Sequence, residues 1–155
     1  MIILFVSILH KHYRFPSLVL FGISLWGFLH MIGGLRIGGK AVYGYIIYPI
    51  LSSETAGTDI FRYDQLMHFY VYVIVTYMLF HIVKMYVKSD IPKGIFLTLI
   101  VCASIGIGAI NEIAEFMPVL FLDETGVGDY FNTLWDLVFN TLGAIVAAVY
   151  LRYKS

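Results

Sequence analysis

From residue 91 to residue 121 the chain carries three charges: Lys93 near the start, then Glu112 and Glu115 inside the motif NEIAEF. A run this long and this apolar can cross a bilayer as a helix, which takes ~20 residues. Glutamates three residues apart share one helix face. Lipid cannot satisfy them, so that face has to look at protein, water or a bound cation. The chain must therefore supply companion helices with polar faces of their own.

Such companions exist. Four stretches are long enough to span: residues 15–35, 63–87, 91–118 and 130–151. Pro16 and Pro92 stand where they open helices. Residues 1–9 are too short to span and lack a basic start or a small-residue cleavage site, so they read as an interfacial stub or the tail of an additional helix. AVYGYIIYPIL, residues 41–51, reads as an interfacial or re-entrant piece. With 60% hydrophobic and 13% charged residues and a mean hydropathy of +0.85, 155 residues cannot hide their apolar surface in a soluble domain. The expected fold is all-α: one polytopic transmembrane helix bundle over residues 1–155, with about four spanning helices plus short interfacial or re-entrant segments. Zero net charge gives nucleic acid no footing, and the single Cys102 has no internal partner to bridge.

Basic residues orient the bundle. Lys11 and Arg14 precede the first span, Lys84, Lys88 and Lys93 join the second to the third, and Arg152 and Lys154 follow the fourth. All seven fall on one side. The other side holds Arg36, Lys40 and Arg62 in a long loop and the acidic loop LDETGVGD. The asymmetry places both termini in the cytoplasm and the chain in the cell membrane, inner or plasma.

The ionisable residues gather at the opposite, outer end. His30, the pair Asp64 and His68, the pair Glu112 and Glu115, and the series Asp129, Asn132, Asp136 each lie within ~10 Å of the outer end of their helix. Asp64 and His68 are four apart, as are Asn111 and Glu115. Asp129, Asn132, Asp136, Asn140 and Gly143 step by three or four along one helix face. Ser104, Gly108, Gly143 and Ala147 allow close helix approach. His81 lies 13 residues beyond His68, about 20 Å along the axis, and reads as an interfacial residue outside this site. GGLRIGG, residues 33–39, fails the context of a phosphate-binding loop and reads as a helix end and turn.

LHMIGG (29–34), RYDQLMHF (62–69), AINEIAEF (109–116) and GDYFNTLWDLVFNTLGA (128–144) together resemble the YjdF-like family of inner-membrane proteins, which is similar in pattern to the VanZ-like membrane proteins. The resemblance spans about residues 25–147. It matches Arg62, Asp64 and His68, then Glu112 and Glu115, then Gly128, Asp129, Trp135 and Asp136. Where the family pattern has Trp-Asp after Gly-Asp, this chain has Phe131 and Asn132, an amide for a carboxylate. The resemblance implies a polytopic membrane architecture and a shared polar site, and carries no activity with it.

Five carboxylates and two imidazoles at one level repel one another unless cations join them. Mixed carboxylate and imidazole donors suit a divalent Zn, Mn or Fe ion, and helical pairs of such donors build the metal sites of four-helix bundles. Asp64, His68, Glu112, Glu115 and Asp136 are the expected ligands. His30, Arg62, Asn111, Asp129, Asn132 and Asn140 are expected to orient them or form the rim. The leading functional expectation is a metal-dependent enzyme acting on a lipid or lipid-linked substrate. A non-catalytic subunit or scaffold of a larger complex, or a proton- or ion-coupled transporter, fits the same residues. Membrane lipids are the expected partners, together with other membrane proteins or further copies of the chain.

Overall fold

The computed structural model describes residues 2–48, 61–87, 90–122 and 128–154. Five α-helices follow in order: α1 (Ile2–Tyr13), α2 (Ser17–Gly33), α3 (Tyr63–Lys84), α4 (Lys93–Val119) and α5 (Tyr130–Lys154). The first spanning stretch is shorter than expected. Gly33 is the last residue of α2, and Gly34 caps it with its N–H on the His30 and Ile32 carbonyls. The remaining 17 residues reach ~25 Å. Helices α3, α4 and α5 have the length and hydropathy to cross a membrane; α2 is a shorter apolar helix beside them.

GGLRIGG does more than end a helix. Arg36–Ile37 (β1) and Lys40–Ala41 (β2) pair antiparallel around Gly38 and Gly39, whose φ angles of 58° and 82° suit a two-residue hairpin turn. A 3-10 turn at Val42–Gly44 follows. Ile46 then bridges to Arg62 at the start of α3. The described part of the 41–51 stretch is thus the end of the hairpin, the 3-10 turn and non-helical chain, and residues 49–51 lie outside the described residues. So do residues 123–127 of the acidic loop.

Helix α3 is the hub, packing against α2, α4 and α5, and α5 also packs along α4. The four small residues expected at close approaches, Ser104, Gly108, Gly143 and Ala147, are all buried. The two ends of the bundle are held differently. At the lysine-rich end Phe80, Leu97, Ile100 and Leu151 form an apolar cluster. Lys93 there donates to the Arg152 carbonyl at 2.6 Å, tying the start of α4 to the end of α5. Midway, Thr76 donates to the Ser104 hydroxyl at 2.7 Å, joining α3 to α4. At the opposite end buried polar side chains take over: Gln65, His68, Glu112, Asp136 and Asn140. The outer faces of α2, α4 and α5 stay apolar and exposed, with Phe21, Phe28, Ile110, Ile113 and Leu142 among them. That is the inverse of a soluble bundle and the arrangement lipid requires.

Candidate metal centre

His68 stands at the middle of the polar end, 8% exposed. Its Nδ1 lies 3.0 Å from Asn140 Oδ1. An amide oxygen only accepts, so Nδ1 carries the proton and donates. In the neutral ring Nε2 then presents a lone pair. That lone pair faces Asp64 Oδ1 at 3.7 Å and Asp136 Oδ1 at 4.0 Å. Three acceptor atoms thus converge from α3 and α5, too far apart to hydrogen bond.

The amides around them fix this geometry. Gln65, 2% exposed, accepts from the Arg62 backbone N–H at 2.9 Å, which caps the first turn of α3. Its NH₂ donates to Asp136 Oδ1 at 2.8 Å and to Asn132 Oδ1 at 3.2 Å. Asn132 donates in turn to Asp136 Oδ2 at 2.7 Å and Asp64 Oδ2 at 3.1 Å. Its oxygen also receives Arg62 Nη1 at 3.5 Å. Two amides therefore use every polar atom they have; Asp64 Oδ1 is left without an amide partner, Asp136 accepts at both oxygens, and the two Oδ1 atoms lie toward His68.

The other carboxylates form a second group. Glu112 Oε1, in a side chain only 6% exposed, sits 3.6 Å from His68 Nδ1 and has no hydrogen-bond partner. Asn140 Nδ2 is also buried and unpartnered. Glu115 is half-buried and accepts from Asn111 at 2.7 Å. The five expected ligands consequently fall into two triads that share His68: Asp64, His68 and Asp136, and His68, Glu112 and Glu115. Within each triad the donor atoms lie within 4.8 Å of one another. The first is the better built, because its free nitrogen is Nε2, whereas the nitrogen near Glu112 is already engaged by Asn140.

The rim residues divide as well. Asp129 is exposed and accepts from the Asn132 backbone N–H at 2.9 Å, capping α5. Asn140 orients the imidazole rather than a carboxylate, because it lies one turn deeper than Asp136. His30 is exposed and joins no triad; its Nδ1 pairs with the Tyr43 hydroxyl and its ring lies on Trp26. Tyr43 nevertheless brings it close to the site. Burial first, then the charges of Asp64, Tyr63 and Glu115, push the Tyr43 phenol above its ordinary value and keep it protonated. His81 belongs elsewhere, as expected: its Nε2 meets the Tyr13 carbonyl at 3.0 Å, where α1 turns into α2. Gln65 escaped the sequence reading, although a Gln three residues after a helix cap is a known signal.

The family described as "Predicted membrane protein (DUF2238)" matches residues 1–154. The chain belongs to this family. Membership agrees with the membrane family read from the motifs and makes the protein an integral membrane protein. No curated protein and no solved structure matches the chain. The polar cluster is then set among helices long and apolar enough to span a membrane, where ionisable residues are costly and face the bundle interior.

Proposed function

We propose that the protein binds one divalent transition-metal ion between His68 Nε2, Asp64 Oδ1 and Asp136 Oδ1, and uses it to hydrolyse a phosphate or ester bond in a lipid or lipid-linked substrate. The observation that carries this reading is the convergence of His68 Nε2, Asp64 Oδ1 and Asp136 Oδ1 from two helices, with the imidazole nitrogen too far from either carboxylate to hydrogen bond. Two ligands 2.1 Å from a tetrahedral ion are ~3.4 Å apart; the separations of 3.7 and 4.0 Å are a few tenths wider and close by small side-chain rotations. The bound ion would polarise the substrate oxygen and acidify a water. Glu112 Oε1, buried and unpartnered on the Nδ1 side of the same imidazole, is the candidate proton acceptor. Half-buried Glu115 and exposed Asn111 mark the side from which a headgroup enters.

Elemental analysis of protein purified without chelator tests the metal. About one Zn, Mn or Fe ion per chain is expected. His68→Ala should lose it, whereas Glu112→Gln should keep the ion and lose hydrolysis. Metal-free wild-type protein whose melting is unmoved by added Zn, Mn or Fe would sink the reading and leave a scaffold within a larger complex or homo-oligomer.

Both termini lie in the cytoplasm of the cell membrane in this proposal, with the metal centre facing outward. In a Cys102→Ala background, Tyr130→Cys, at a 72% exposed position, should label from outside intact cells and Tyr153→Cys, at an 85% exposed position, only after permeabilisation. The reverse pattern would overturn the orientation.

A further inference from the structure

At the lysine-rich end, one side of the bundle holds a cavity of about 260 Å³ between the ends of α3 and α5, lined by Tyr77, Phe80, His81, Lys84, Leu151 and Lys154. Its volume lies just below the usual range of ligand pockets, which suits a fragment of a ligand rather than a whole one. The lining is graded along the helix axis. Lys84 and Lys154 are the last residues of their helices, and Tyr77 lies seven residues, ~10 Å, deeper. Lys84 Nζ is 5.3 Å from the centre of the Phe80 ring, which draws the ammonium over the apolar floor. Lys154 Nζ donates to the Tyr150 hydroxyl at 2.6 Å, leaving two further N–H groups. No carboxylate lines the cavity among the described residues.

Two ammonium groups at the mouth, a phenol further in and an apolar floor formed by Phe80 and Leu151 complement one kind of molecule. We propose that this cavity binds an anionic phospholipid, with its phosphate between Lys84 and Lys154 and the upper portion of its glycerol and acyl chains against Phe80 and Leu151. Basic pockets between membrane helices recognise anionic headgroups through this combination of charge and depth. The site is at the opposite end of the bundle from His68 and is independent of the metal reading. His81 forms the wall and, through its bond to the Tyr13 carbonyl, ties the pocket to the α1–α2 junction, so a seated lipid buttresses the packing of the N-terminal helices.

Native mass spectrometry of the detergent-purified chain, equilibrated with equal phosphatidylglycerol and phosphatidylcholine, measures the preference directly. The wild type is expected to retain phosphatidylglycerol in clear excess. Lys84→Gln with Lys154→Gln should cut that excess by about fivefold for each lysine removed. Lys11→Gln with Arg14→Gln removes the same charge outside the cavity and should leave the preference intact. Equal retention of the two lipids by the wild type, or equal losses in the two double variants, would overturn the pocket. So would glycerol phosphate without acyl chains binding as tightly as the lipid.

Discussion

Gly143→Ala should lower the stability of the purified protein by about 2–3 kcal/mol, although alanine is the better helix former by ~1 kcal/mol. The close approach of α5 to α3 sets the sign. A Cβ on Gly143 would stand 2.3 Å from the Phe69 carbonyl oxygen, and 3.2 Å from both the Phe69 carbonyl carbon and the Val73 nitrogen. These are backbone atoms of a packed helix, so no side-chain rotation relieves the overlap. The helices must move apart, and the separation falls a single turn from Asn140 and beside His68. Small residues matter more here than in a soluble bundle, because lipid is as apolar as the helix surface and close packing has to supply the attraction. Gly106→Ala is the control. Nothing lies within 4 Å of a Cβ there, so helix propensity alone should act and stability should hold or rise slightly. Thermal melting in one detergent compares them; a Gly143→Ala variant melting with the Gly106→Ala variant would show that α3 and α5 do not meet at this point. Under the metal proposal Gly143→Ala also weakens the ion, since Asp64 comes from α3 and Asp136 from α5.

Much of this arrangement is written in the order of residues, and what is not written there has a physical reason. Apolar runs gave α3, α4 and α5 to within a few residues, because lipid admits few alternatives to a helix. Period and depth brought Asp64, His68, Glu112 and Asp136 to one level. They said nothing of how each helix is rotated about its axis, which divides the carboxylates between the two nitrogens of His68. The shortness of α2 was partly legible: Gly38 and Gly39 between two short β-compatible pairs signal a hairpin, and a hairpin there leaves α2 less chain. The contact of Tyr43 with His30 was not legible, since it depends on the chain after the hairpin folding back over the end of α2. Gln65 shows a different limit. Its spacing from Arg62 signals a cap, but its second role, donating to Asp136 and Asn132, exists only once α5 is beside α3.

Asn132→Asp should separate a metal centre from a hydrogen-bonded network more sharply than removal of any ligand. In the native chain Asn132 Nδ2 donates to Asp136 at 2.7 Å and to Asp64 at 3.1 Å. A carboxylate in its place has no proton to give, so both bonds become contacts between acceptors. Bonds from a neutral donor to a charged acceptor are worth ~1.5–3 kcal/mol each, and a third anion adds repulsion at close range. Arg62, 3.5 Å from the Asn132 side-chain oxygen, gains a charged partner, but a partly exposed pair returns at most ~1 kcal/mol. The losses win, and the metal-free variant should be less stable than metal-free wild type by about 3–5 kcal/mol. The same three carboxylates, with His68, make a stronger cation site. Added Zn or Mn at a hundredfold excess over its dissociation constant should therefore restore ~2.7 kcal/mol and bind more tightly to the variant than to the wild type. Chelator-treated and metal-supplemented melts of the two proteins measure both quantities. A variant destabilised to the same extent with and without metal would mean that Asn132, Asp64 and Asp136 serve the packing of α3 on α5 and hold no ion.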